Sequence, residues 1–278
     1  MKTILGTGQL GLAIMQLLLD KNPNEEIVLV NRTGKLHLPL PANVELTAAD
    51  ATSKTAMAAI AKRSDLIFNC TDVPYDQWAH FYPATASALA YALRETNTKL
   101  VFADNLYSYG NVMGKEMNEQ MPHSAKTKKG KIRAGVINTL LYSGESYNNR
   151  VAFVKAADFI GPRIHKGIFG TDFLDRIHNG KRVMLFGNID LPHTFTYIND
   201  FAAAMINVGT ANDTFGQLWH VPNAPALSLD KWVHLFEVVT NKKIKSSVTP
   251  KFIIRIAGLF NSFIRELYEM AYQFEYPY

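Results

Sequence analysis

Thr3-Ile-Leu-Gly-Thr-Gly-Gln-Leu-Gly11 is the stretch from which the fold follows. A short apolar run stops at a glycine, and Gly6-Thr7-Gly8-Gln9-Leu10-Gly11 has the form GxGxxG. Beyond it Leu10, Ile14, Leu17 and Leu18 recur at helical spacing, and Ile27-Val-Leu-Val30 is a β-branched run ending at Asn31-Arg32. Strand, glycine turn, helix and strand within about 30 residues match a βαβ unit. In that context each glycine has a physical task. Gly6 permits the tight turn, Gly8 lets the backbone approach a pyrophosphate, and Gly11 lets the helix pack closely on the strand. The helix start then offers unpaired N–H groups and a partial positive charge to the phosphates. Gly6, Thr7, Gly8, Gln9, Leu10 and Gly11 are therefore the candidate dinucleotide-binding residues.

The end of the second strand selects the cofactor. NAD enzymes usually place Asp or Glu there, to bind the ribose 2′-hydroxyl. This chain has Asn31 and Arg32. The planar guanidinium of Arg32 suits a 2′-phosphate, with Thr33 and Lys35 to assist, so NADP is expected over NAD. A surface arginine at a strand end is the alternative. Asp50, after the third strand, is a candidate acceptor for the adenine amino group, or a helix N-cap before Ala51-Thr52.

The alternation continues outward. Val44-Glu-Leu46, Leu66-Ile-Phe68, Leu100-Val-Phe-Ala103 and Val151-Ala-Phe-Val154 read as strands. Thr52 to Lys62, Tyr82 to Arg94 and Lys131 to Ser143 read as helices. Strands alternating with helices predict an α/β fold, a Rossmann-type doubly wound parallel sheet covered on both faces. After Gly161-Pro162, glycine and proline punctuate shorter elements. The expected organisation is a dinucleotide-binding domain over residues 1–160 and a smaller substrate lobe over 161–278, interleaved with it. Helices are expected at Asp200 to Val208, at Leu229 to Thr240, and from Pro250 to Tyr272 with a break near Gly258. The last stretch, with Arg255, Arg265 and Glu266, reads as a helix covering the second lobe in preference to a membrane-surface helix.

Composition excludes other classes. In 278 residues there is a single cysteine, Cys70, so neither an intrachain disulfide nor a cysteine zinc cluster is available. It reads as a buried structural thiol. The eight histidines form no HxxxH or HExxH, and no metal site is expected. The net charge is +5, and its densest run, Lys126, Lys128, Lys129, Lys131 and Arg133, reads as a solvated face and not a nucleic-acid footprint. No apolar run reaches the roughly 20 residues needed to span a bilayer. Gln9 and Gln16 interrupt the apolar N-terminal stretch, which lacks a small-residue cleavage site. A cytoplasmic protein with a small-molecule substrate, no nucleic-acid partner and no membrane partner is expected, with a homodimer left open.

Three further landmarks carry a family resemblance: Tyr107-Ser-Tyr-Gly110 after the fifth strand, Asp158-Phe-Ile-Gly-Pro162 after the sixth, and Thr194-Phe-Thr-Tyr-Ile-Asn-Asp200. With the glycine loop, they make the chain resemble an atypical, extended short-chain dehydrogenase/reductase of the NAD(P)-dependent epimerase/dehydratase type. The resemblance implies a tyrosine that moves a proton at the substrate oxygen, a lysine four residues later that lowers the tyrosine's pKa, and a serine that binds the same oxygen. This sequence departs at those positions. Asn105 stands where the serine is expected, and Pro122-His-Ser-Ala-Lys-Thr-Lys-Lys-Gly-Lys131 contains no tyrosine, so YxxxK is absent. The candidate catalytic residues become Asn105, Tyr107 and Lys131, with Tyr109, Tyr75 and Asp72 also considered. Lesser candidates are His193 as a substrate contact, and Arg163 and Lys166 as phosphate contacts. Trp219 and His220 are placed in a short parallel strand of the second lobe. The implied function is an atypical NADP-dependent oxidoreductase or epimerase/dehydratase-like enzyme acting on a small polar or sugar-like substrate. A non-catalytic NADP(H)-binding regulatory or redox-sensing protein is the alternative.

Overall fold

The computed structural model describes residues 1–165, 167–260 and 262–278. The chain runs β1 (Lys2–Leu5), α1 (Gln9–Lys21), β2 (Ile27–Asn31), β3 (Val44–Ala48), α2 (Lys54–Lys62), β4 (Leu66–Asn69), α3 (Trp78–Arg94), β5 (Lys99–Asn105), α4 (Lys128–Leu140) and β6 (Val151–Ala156). It continues through β7 (Asp158–Ile160), α5 (Thr171–His178), β8 (Val183–Phe186), β9 (Pro192–His193), β10 (Phe195–Tyr197), α6 (Ile198–Thr210) and β11 (Gln217–His220). Last come β12 (Leu227–Ser228), α7 (Leu229–Thr240), β13 (Ser246–Thr249), α8 (Lys251–Phe260) and α9 (Ser262–Glu269).

Seven strands form one sheet in the order β11-β6-β5-β4-β1-β2-β3, every pair parallel. Alternate strand residues enter opposite cores, as the period of two requires. Leu5, Val28, Ile67, Leu100, Phe102 and Phe153 face α2, α3 and α4. Ile4, Leu29, Phe68, Val101 and Val154 face α1 and α6. The strand order reverses beside β1, so the carboxyl ends of β1 and β4 flank the switch point where open α/β sheets take ligands.

Three boundaries differ from the sequence reading. α2 starts at Lys54 because the Ser53 hydroxyl accepts from Ala56 N. α4 starts at Lys128 because the Thr127 hydroxyl accepts from Gly130 N. α3 begins at Trp78, four residues before Tyr82, and contains Pro83. Trp219 and His220 are not in the second lobe: β11 is the seventh strand of the main sheet, in register with β6 from Gln217↔Ala152 to His220↔Lys155. The smaller core beyond it gathers Phe169, Phe173, Val183, Leu185, Leu229 and Val233, closed by Phe274. The C-terminal stretch is two helices, and five apolar residues of α8 are exposed instead of covering the lobe.

Candidate active site

The glycine loop is built as its sequence demands. Gly6 has φ +98°, and a Cβ there would lie 2.7 Å from the Cys70 carbonyl oxygen, so β4 itself enforces glycine. A Cβ on Gly11 would collide with the Gly6 carbonyl. Gly8 is different. Its backbone is extended (φ −78°, ψ −169°), open to any residue, and a Cβ there meets no atom within 4 Å. No contact of the protein requires glycine at this position. The first turn of α1 has no side-chain cap either. An uncapped helix start beside a bare backbone fits a pyrophosphate. Leu10 packs into the core, so its contribution to that cradle is its N–H.

Asn31 at the end of β2 has its amide fully committed. The Nδ2 donates to Thr7 Oγ1 (3.0 Å) and to the Lys35 carbonyl (2.9 Å). The Oδ1 accepts from Thr33 N (3.0 Å) and Gly34 N (2.7 Å). It thus fastens the turn carrying Arg32 to the glycine loop. Asp50 is not a helix cap; its Oδ1 accepts from the N–H (2.9 Å) and hydroxyl (2.8 Å) of Thr52. Those bonds and the nearby Arg32 guanidinium hold its carboxyl below the ordinary value.

At the ends of β4 and β5 two short helical turns, Tyr75–Gln77 and Tyr107–Tyr109, bring two phenols together. The hydroxyls of Tyr75 and Tyr107 are 2.9 Å apart. Trp78 backs them, edge-on to Tyr75 and stacked on Tyr107. Asn105 turns the chain into this motif by accepting from Tyr107 N (3.1 Å). Burial pushes Tyr75 up to about 12 and Tyr107 well above the usual phenol value, so both are neutral at pH 7. They offer hydrogen bonds or a proton, but neither is a base. Tyr109 instead bonds His220 Nε2 (2.7 Å), and Asp72 accepts from Tyr82 (2.8 Å).

Lys131 is not brought to this cluster. It is exposed, in a shallow groove between α3 and α4 with Ala79, Pro83 and Ser87. Helical spacing instead turns Lys129 and Arg133 inward, both buried, four residues apart. That is the spacing which the resemblance assigns to tyrosine and lysine. Lys129 Nζ pairs with Glu266 and Glu269 of α9 (2.6 Å to Glu269) and lies 5.0 Å from the centre of the Tyr75 ring. Arg133 donates to Tyr82 Oη (2.7 Å), stacks over the Tyr82 ring at 3.8 Å and reaches Asp104 at 3.3 Å. Asp104 also accepts from buried Lys155 (2.6 Å), which donates further to the Asn105 carbonyl and Ser108 Oγ. Burial lowers the Lys155 ammonium against the pull of Asp104. The sequence reading missed these four charges. Two signals were present: the KxxxR spacing, and a lysine inside the apolar run Val151–Ala156.

Asp158 of β7 and His193 of β9 pair near this wall, Asp158 acting electrostatically on both phenols. His193 is buried, pairs through Nε2 with Asp158 (2.8 Å) and stacks on Phe274 at 4.4 Å. The C-terminal segment packs on His193 through Phe274 and Tyr278. Tyr278 N donates to the Pro192 carbonyl (3.0 Å), and Thr194 N to the Tyr278 carbonyl (2.6 Å). Arg163 is exposed, with φ +63°. Lys166 lies outside the described residues. Burial pushes the Cys70 thiol up, which suits a structural role.

The sequence pattern of the NAD dependent epimerase/dehydratase family matches residues 4–220. No curated protein matches the chain. Solved structures do. A UDP-glucuronic acid 4-epimerase from Bacillus cereus, in complex with NAD, aligns at TM-score 0.78 and 16% identity over 90% of this chain and 86% of its own. A dTDP-glucose 4,6-dehydratase from Bacillus anthracis, in complex with NAD, gives 0.78 and 13% over 90% and 85%. A UDP-glucose 4-epimerase from Thermus thermophilus, complexed with NAD, gives 0.72 and 16% over 89% and 86%. These findings overturn the expectation of NADP, since the family is NAD dependent and all three structures hold NAD. The physical reason lies in Arg32 itself: an exposed arginine at a strand end is as ordinary on a protein surface as in a 2′-phosphate site, so it does not select the cofactor. A pattern that runs from the first strand of the sheet to its last shows that the chain belongs to the NAD dependent epimerase/dehydratase family.

Proposed function

We propose that the chain is an atypical NAD-dependent oxidoreductase of the epimerase/dehydratase type, acting on a small polar or sugar-like substrate. Gly6 to Gly11 would hold the pyrophosphate of NAD, and Asn31, Arg32 and Asp50 would border its adenosine half. Bound there, NAD supplies a hydride acceptor and donor. The observation that carries the reading is the Tyr75–Tyr107 hydroxyl pair beside Asn105, beyond the ends of β4, which adjoins β1 and its glycine loop, and of β5 next to it. A neutral phenol donates a hydrogen bond to a substrate carbonyl and a proton to the oxygen as charge develops on it. Asn105 would take the serine's place at the same oxygen. Tyr75 returns the proton lost by Tyr107, since the two hydroxyls touch. Lys129, 5.0 Å from the centre of the Tyr75 ring, has its charge taken up by Glu266 and Glu269, so it would hold the pair in place and not act as the acid.

A second reading is a non-catalytic NAD(H)-binding regulatory protein. The raised Tyr107 and the engagement of Lys129 by two carboxylates favour it, because the phenol is no ready base at pH 7 and the ammonium is not free to assist it. Calorimetric titration with NAD⁺ and NADH, followed by a substrate screen read through nicotinamide absorbance, separates the two. The enzyme reading expects binding, and turnover that falls about a hundredfold in Tyr107→Phe at unchanged NAD affinity. Binding without turnover on any polyol, sugar or sugar nucleotide supports the regulatory reading. Absence of binding overturns both.

A further inference from the structure

α8 and the segment before it carry a feature that the cofactor site does not use. Phe252, Ile253, Ile256, Leu259 and Phe260 are exposed, Phe252 at 64%, Leu259 at 74% and Phe260 at 88%. At 100° per residue they fall within one arc of about 120°, and Arg255 borders it. The opposite side of the helix is fixed. Gly258 is buried there, and a Cβ on it would lie 3.1 Å from the Arg265 backbone of α9. The apolar arc therefore points away from the protein by construction.

The stretch of chain that contains α8 carries charge of one sign. Between Glu237 and Glu266 there is no carboxylate, but there are Lys242, Lys243, Lys245, Lys251, Arg255 and Arg265. The chain has 29 Lys and Arg against 24 Asp and Glu, so outside this segment 23 cations face 24 anions. The whole net charge of the protein resides here. Lys242, Lys243, Lys245, Arg255 and Arg265 are exposed.

We propose that α8 lies in the surface of an anionic lipid bilayer, its apolar arc among the acyl chains and its cations among the headgroups. An apolar arc bordered by Lys and Arg is what an interfacial helix requires. Charge decides against a second copy of this chain, because a two-fold contact across the apolar arc would bring Arg255 of α8 near its own copy, with no carboxylate on that helix to pair it. No helix among the described residues is long and apolar enough to cross the bilayer, so the attachment is peripheral. This departs from the sequence expectation of no membrane partner, which assumed that the helix covers the second lobe. α9 is the next helix in the chain and carries Glu266 and Glu269 to Lys129, so the helix that follows the docked one reaches the candidate site.

The test is flotation of the full chain with two sets of vesicles, phosphatidylcholine alone and phosphatidylcholine with phosphatidylglycerol. The expected result is co-flotation with the anionic vesicles only, reversed by high salt. Leu259→Glu and Phe260→Glu, both at exposed positions, should abolish it with unchanged thermal melting. The pair Lys245→Gln with Arg255→Gln should weaken it about 30-fold, at a headgroup attraction typical of surface cations. Absence of flotation overturns the proposal. So does equal flotation with neutral vesicles, or a wild-type dimer that Leu259→Glu converts to monomer, which would assign the face to a second copy.

Discussion

Gly8→Val separates the requirements of the fold from those of the cofactor. Gly8 lies in extended backbone, where valine is at ease, and its Cβ position is empty to 4 Å. The folded state should lose no more than about 1 kcal/mol, the scale of an unfavourable N-cap residue. That is about 2–4 °C in Tm for a chain of this size. The same side chain stands where a pyrophosphate would meet the start of α1. Displacing the phosphates from even two backbone N–H groups removes at least about 3 kcal/mol, since hydrogen bonds to charged groups contribute about 1.5–3 kcal/mol each. NAD affinity should fall by at least about a hundredfold. Gly6→Ala should behave in the opposite way, because φ +98° and the Cys70 carbonyl make it a folding lesion first. Melting curves and calorimetric NAD titration on both variants make the comparison. A folded Gly8→Val protein that binds NAD within about threefold of the wild type would refute the assignment.

Other outcomes follow from the charges and the buried rings. Lys129→Met leaves Glu266 and Glu269 side by side without their cation. The pair is partly exposed, so the loss should be about 2 kcal/mol in urea unfolding, short of a fully buried pair, and Glu266→Gln with Glu269→Gln should restore it. An unchanged midpoint in the single variant would count against the ion pair. Lys155→Met removes a fully buried partner of Asp104, which retains Arg133; the expected cost is about 3 kcal/mol, with part recovered by adding Asp104→Asn. Burial lowers His123 to about 4, whereas the unfolded chain protonates it near 6.5. Protonation thus favours unfolding, and stability fully present above pH 6.5 is lost as pH falls toward 4. Half exposure of the ring limits the amount to about 1–2 kcal/mol, and His123→Gln should remove that part of the pH dependence in melts at pH 7 and pH 4.5.

The legible parts of this protein were those in which a local pattern has a local cause. The strand, glycine turn and helix over residues 2–21 follow from spacing alone, and α7 begins and ends where Leu229 to Thr240 predicts. β11 was misplaced because nothing within Gln217–His220 says that its partner is β6, some 65 residues earlier. The apolar repeat of α8 reads the same whether its face is covered or bare. Only Gly258 against Arg265 shows which side is taken. Lys129 and Arg133 were hidden by a search for a phenol, although their spacing was in plain view. Arg32 misled because an exposed arginine at a strand end reads the same with or without a 2′-phosphate to bind.

The amide of Asn31 has a consequence for descent. Aspartate at this position would keep the two bonds accepted from Thr33 and Gly34, but it would lose both donors, to Thr7 and to the Lys35 carbonyl. It would also press a negative oxygen against that carbonyl. The acid that commonly ends this strand is therefore not one tolerated mutation away. The turn over residues 33–35 would have to change first, so the order of substitutions, and not their number, confines the evolutionary routes by which this lineage can alter its grip on a ribose.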